Sequence, residues 1–279
     1  ALKYISLNKK RSTMIKRIVW MTWKDGQNPL AGGAEKVNEE IARQLVRDGI
    51  EVIFLVAGFE NAPHKIYHQN GYTVIRCGNR FSVYWSVYKY YKKNLKEWPD
   101  LVIDEMNTIP FFSNFYTNGK SILLAYQLCR QIWFYQMRFP ASLIGYMFEF
   151  FYLRLINNMS VLTESISAKN DLLKYGFLDE KVKVFRVPLD IKPLDDIQGI
   201  SKYSNITLLS LGSLRPMKRT LDQIKAFEKV KEKVPECKLI VAGGANSDYG
   251  AMVLDYINKS PFKADITYIC LLYTSPSPR

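Results

Sequence analysis

Short apolar runs alternate along this chain with stretches whose apolar positions recur every three or four residues. The runs at 17–22, 51–57, 72–76, 101–104, 121–125, 160–163 and 182–187 predict strands. Between the first two, Val37, Ile41 and Leu45 share one face of a predicted helix, while Glu39, Glu40, Arg43 and Arg47 fall elsewhere. Asp48-Gly49 closes that helix, a glycine just past the last turn being the usual stop. Strands alternating with amphipathic helices predict a parallel α/β architecture.

The character changes at 188–203, where two prolines, several aspartates and Gly199 predict a linker. Strands are then expected at 206–211, 238–242 and 266–269. A helix is expected on Leu221, Ile224, Phe227, Val230 and Val234, stopped by Pro235, and another near 251–258. The expected organisation is a first Rossmann-like domain at 14–190, a linker at 191–204 and part of a second such domain at 205–269. Roughly 65 residues are too few to complete a second nucleotide-binding domain, so apolar strand surface is expected to stand uncovered there.

Both ends read as foreign to this pattern. Residues 1–13 have no helix or strand period, and Met14 opens MIKRIVWM directly into the first strand, so 1–13 is expected to be an upstream extension. Residues 270–279, CLLYTSPSPR, back-translate in one frame to a sequence resembling a transposon-end adapter of short-read library preparation. Native sequence is therefore expected to end near Ile269. Lys3, Lys9, Lys10, Arg11 and Arg279 lie in these ends with no acid; removing these five cations lowers the formal net charge from +13 to +8. The remainder is still basic, which suits anionic partners.

Composition narrows the class. At 48% hydrophobic residues the chain can fill real cores. No run of 18 apolar residues occurs, and the apolar stretch at 18–21 is far shorter than a signal-peptide core, so neither a membrane span nor a leader is expected. Cys77, Cys129, Cys237 and Cys270 are widely spaced without a CxxC pair, which predicts reduced thiols and a cytoplasmic setting. His64 and His68 have the spacing to share a helix face, but no third ligand is near, so a loop is the expected reading and no metal site is assigned.

Two loops carry candidate chemistry. Asn28-Pro29-Leu30-Ala31-Gly32-Gly33-Ala34-Glu35 joins the first strand to the first helix; two glycines there allow backbone N–H groups near an anion at a helix N-terminus, or simply make a tight turn. It is not GxGxxG, and the second strand ends in Val56-Ala57 without the acid a dinucleotide fold needs. The second loop, Leu211-Gly212-Ser213-Leu214-Arg215-Pro216-Met217-Lys218-Arg219, sets three cations between a strand and a helix. Cations oppose a helix dipole at its N-terminus, so their clustering points to a diphosphate.

These loops, with Val161-Leu162-Thr163-Glu164-Ser165 and Lys181–Pro188 between them, resemble in their order the retaining GT-B glycosyltransferases of family 4. Residues 100–177 resemble a cell-wall or cell-envelope subgroup, and the resemblance covers about 14–269. It implies an α/β GT-B fold of two Rossmann-like parallel-sheet domains, the second incomplete, working as a cleft enzyme. A nucleotide-sugar donor would be bound by Gly32, Gly33, Gly212, Arg215, Lys218 and Gly243, with Tyr126, Gln127, Glu164 and Ser165 lining the cleft. The implied acceptor is a glycan or a lipid-linked one, and no cofactor or metal is implied. The donor phosphate would take the acceptor proton on the same face, so the protein would chiefly stabilise the leaving group.

The chain departs from the family at three places. Ser213 stands where arginine is common, Tyr126 where histidine is common, and Pro188-Leu189-Asp190 lacks the usual glycine. The family's glutamate pair would lie past Ile269, so catalytic residues are left unassigned and the chain as written is expected not to transfer sugar. Aromatic residues interleave with Lys89, Lys92, Lys93 and Lys96 at 81–98, and 133–152 is similarly aromatic. This mixture suits an anionic membrane surface or single-stranded nucleic acid, but helices packing on the sheet with exposed lysines are the favoured reading. The expected setting is cytoplasmic, peripheral on the inner face of the plasma membrane, with no nucleic-acid partner. A non-catalytic GT-B partner protein and a basic α/β nucleic-acid-binding protein are the competing classes.

Overall fold

A computed structural model describes residues 15–187, 199 and 201–270. The expected extension at 1–13, residues 271–279 of the expected adapter and most of the expected linker lie outside the described residues. The chain divides into two compact units, 1–130 with 144–192, and 131–143 with 193–279. Residues 131–143, expected from the sequence in the first domain, thus group with the second unit.

In the first unit, β1 (Arg17–Met21), β2 (Glu51–Val56), β3 (Lys65–Tyr67), β4 (Thr73–Arg76), β5 (Leu101–Met106), β6 (Ser121–Ala125), β7 (Val161–Thr163) and β8 (Val182–Val184) form one sheet. Its order is β3-β4-β2-β1-β5-β6-β7-β8. All pairings are parallel except β3 with β4, which is antiparallel. Parallel strands covered on both faces need apolar side chains on both. Accordingly Ile18, Trp20, Val52 and Phe54 pack in one core cluster, and Val19, Met21, Leu55 and Val102 in another.

Helix α1 (Gly33–Arg47) buries Glu35, Asn38, Ala42 and Leu45. The buried stripe is therefore rotated by about one residue from the expected face, Val37 and Ile41 being only half-buried. Two polar residues occupy its inner line because they meet polar partners beneath. Helix α2 (Val83–Tyr90) runs into a π-helical turn at Tyr91–Leu95. Val83, Val87, Tyr91 and Leu95 point inward while Lys89, Lys92, Lys93 and Lys96 stay exposed, the packing arrangement anticipated for 81–98. His64 and His68 flank the short edge strand β3 and do not share a helix face; His68 stacks on Tyr72 at 4.4 Å between ring centroids.

The short helix α3 (Ile132–Gln136) falls in the second unit, and α4 (Ala141–Leu155) exposes Ile144, Met147, Phe148 and Phe151. Helix α5 (Ile166–Leu173) is capped by Ser165, whose hydroxyl accepts from Ala168 N at 3.1 Å. No helix among the described residues is long and apolar enough to cross a membrane.

In the second unit, β9 (Thr207–Leu211), β10 (Lys238–Ala242) and β11 (Ile266–Ile269) pair in parallel in the order β11-β10-β9. Helices α6 (Thr220–Lys231) and α7 (Asp248–Lys259) supply Ile224, Phe227, Val253 and Ile257 to its core. Leu209 and Leu211 of β9 are 62% and 70% exposed.

Candidate functional site

The first sheet changes direction between β1 and β5: β2 and β4 lie to one side of β1, while β5 to β8 run away on the other. In such sheets ligands bind outside the carboxyl ends of the strands at this switch point. The side chains gathered there are polar and buried. Glu105, near the end of β5, accepts from Trp20 Nε1 at 3.0 Å and from Asn38 Nδ2 at 2.7 Å, both through Oε2. Asn38 Oδ1 in turn accepts from the Tyr126 hydroxyl at 2.6 Å. Glu35, one turn before Asn38 on α1, lies 3.4 Å from Lys24 Nζ.

Loss of solvent is the largest influence on Glu105. The bond from Trp20 favours its ionised form, the negative charge of Glu35 opposes it, and the carboxyl is left pushed up to about 8. Glu105 is therefore predominantly protonated at neutral pH. Burial, followed by the charges of Glu105, Glu164 and Glu35, likewise keeps the Tyr126 phenol neutral.

Gly32 N donates to Glu35 Oε2 at 2.6 Å, so the first N–H of the glycine loop already has an anionic partner from its own helix. A side chain at Gly33 would meet nothing within 4 Å. Tyr126 is half-buried after β6 with its ring edge against Phe185 at 6.2 Å. Gln127 and Glu164 are exposed, and Ser165 is occupied as the cap of α5. The structure thus draws Gly32 and Tyr126 to one polar cluster and adds Glu35, Asn38 and Glu105, which sequence reasoning missed. One signal was available: a tryptophan inside a buried strand needs an acceptor for its indole N–H.

In the second unit the loops after β9 and β10 touch back to back. Gly212 N donates to Ala242 O at 2.8 Å and Leu214 N to Gly244 O at 2.9 Å. A β-carbon on Gly243 would stand 1.9 Å from the Gly212 carbonyl oxygen, so no larger residue fits without moving backbone. Ser247 ties the loops further, its hydroxyl donating to Leu214 O at 3.1 Å.

On this fixed platform a single 3₁₀ turn, Pro216–Lys218, precedes α6. Arg219 pairs with Asp222 at 2.7 Å, but Arg215 and Lys218 are exposed and neither forms an ion pair with a described residue. The arrangement offers two uncommitted cations at the carboxyl end of a strand, where an anionic ligand can be held. Among the described residues no group of three or more His, Cys, Asp or Glu is arranged to hold a metal ion.

Two α/β units in series, each built on a largely parallel sheet, give the chain the GT-B glycosyltransferase fold. HepE from Anabaena, crystallised with UDP-glucose, matches 92% of this chain over 69% of its own, at 16% identity and a TM-score of 0.58. The lipopolysaccharide outer core galactosyltransferase WaaB matches 92% over 68% of its own length, at 13% identity and 0.57. A glycosyltransferase from Rickettsia africae matches 92% over 69%, at 15% identity and 0.58. At these identities it is the fold that is shared. Neither a protein-family profile nor a curated protein sequence matches the chain.

Proposed function

We propose that the chain carries the donor site of a retaining glycosyltransferase of family 4, an enzyme that moves a sugar from a nucleotide diphosphate donor to a glycan or lipid-linked acceptor in cell-envelope polysaccharide synthesis. The observation that carries this reading is the loop of the second unit, where Arg215 and Lys218 form no ion pair with a described residue and Gly212 abuts Gly243. Lys218 neutralises the donor diphosphate, and the contact strengthens as charge builds on the leaving group. Arg215 fills the role left open by Ser213. Gly212 and Gly243 let the two loops close on each other, and the Gly32-Gly33 turn remains a second candidate for the donor. In the first unit, Tyr126 meets a sugar hydroxyl, with Gln127, Glu164 and Ser165 around it. Side-chain cations do the neutralising, so the reading involves neither metal nor cofactor.

We place the protein in the cytoplasm, peripheral on the inner face of the plasma membrane, because the basic chain exposes aromatic residues such as Trp85 and Phe151. Co-sedimentation with anionic and neutral vesicles checks that placement.

The donor assignment is tested by melting the protein with uridine, UMP, UDP and UDP-glucose, the last being the ligand of HepE. A ligand that binds only the folded state raises the melting temperature in step with its affinity. The expected order is no shift with uridine, a small one with UMP and a clear one with UDP and UDP-glucose. Equal shifts for uridine and UDP, or none at all, would remove the diphosphate from the reading.

A further inference from the structure

The polar chain beneath the carboxyl ends of β1, β5 and β6 has a direction. An indole N–H donates and cannot accept, so Glu105 Oε2 receives from Trp20 at 3.0 Å. Asn38 donates to that same oxygen through Nδ2 at 2.7 Å, which turns its carbonyl toward Tyr126. The Tyr126 hydroxyl donates its one proton to that carbonyl at 2.6 Å, leaving only lone pairs for any further partner. Trp20, Asn38 and Glu105 are each no more than 2% exposed, so water cannot replace a partner if one is lost.

We propose that Glu105 and Asn38 are positioning residues that hold the oxygen of the half-buried Tyr126 as a hydrogen-bond acceptor only. The first unit then selects a ligand that presents a donor there. Resting on the function proposed above, that donor is a sugar hydroxyl; a fluorine or carbonyl at the same position is rejected.

The protonation of Glu105 fits this direction. Oε2 takes two N–H donors, which leaves the carboxyl proton to the buried Oε1, and the Thr22 hydroxyl also bonds this carboxyl. Glutamine reproduces that state, its carbonyl standing for Oε2 and its amide nitrogen for the protonated Oε1. Glu105→Gln therefore preserves the direction. Asn38→Ala breaks it and frees the tyrosine to rotate and donate, and Tyr126→Phe removes the acceptor.

Saturation-transfer NMR on the 279-residue chain with UDP-glucose reads the uridine and glucose protons separately. The wild-type chain and Glu105→Gln should show enhancements on both. Asn38→Ala and Tyr126→Phe should lose about fivefold on glucose, the scale of one neutral hydrogen bond, with uridine nearly unchanged. A structural role alone would not separate the two halves of the ligand, nor be preserved by glutamine.

Tyr126→Phe retaining its glucose signals would overturn the inference, as would Glu105→Gln losing them as fully as Asn38→Ala. So would a wild-type chain showing uridine signals without glucose ones. A wild-type chain with no enhancement on either half would instead overturn the proposed function, and the inference with it.

Discussion

Glu105 keeps its proton up to about pH 8, whereas an ordinary glutamate loses it near 4.5. Between those limits the folded chain binds more protons than the unfolded one, so this residue makes stability fall as pH rises through that window and level off above it. Glu35, Lys24 and Tyr126 also face the cluster, but Glu105→Gln removes only the one titration. The variant should match the wild type near pH 5 and be more stable at pH 8, by on the order of a few kcal/mol. Denaturant melts across pH 5–9 check it, and parallel curves for the two proteins would show that Glu105 is ionised in both states. Single residues differ in how far sequence exposes them. Arg215 and Lys218 stand out because cations before a helix contradict its dipole. Glu105 does not, because what keeps its proton is burial and Glu35, and its hydrogen-bonding donors come from β1 and α1, far away in the chain.

The two glycine turns look alike in sequence and differ in structure. Gly243 abuts Gly212 so closely that Gly243→Ala must displace backbone, and should cost about 3 kcal/mol, the upper end of overpacking. Gly33 opens onto free space at the first position of α1, so Gly33→Ala should leave stability unchanged or raise it slightly. Thermal melts of both variants separate these cases; equal effects would mean that the Gly212–Gly243 contact does not form. Among the larger elements, β1, β2 and β6 were legible because a short apolar run bounded by polar turns suits a buried strand and little else. Strand β3 was not, since Lys65–Tyr67 is three residues long and gains its identity only by pairing with β4. The inner face of α1 was misplaced by one position because its stripe includes Glu35 and Asn38, which an apolar count skips.

At the level of the molecule, alternation of strand and helix was enough to anticipate two parallel α/β units, because a crossover between parallel strands needs a helix. The grouping of 131–143 with the second unit was not legible, since it depends on contacts distant in sequence. The central claim is that the second unit holds a nucleotide diphosphate through Lys218. Isothermal titration of UDP into the wild-type chain and Lys218→Gln tests it most directly, with melting curves recorded beside it. The exposed side chain makes no ion pair with a described residue, so the substitution should change stability by no more than about 0.5 kcal/mol. Affinity should fall roughly tenfold or more, the scale of one charged hydrogen bond. Unchanged UDP affinity in Lys218→Gln, or a loss that follows unfolding, would contradict the account.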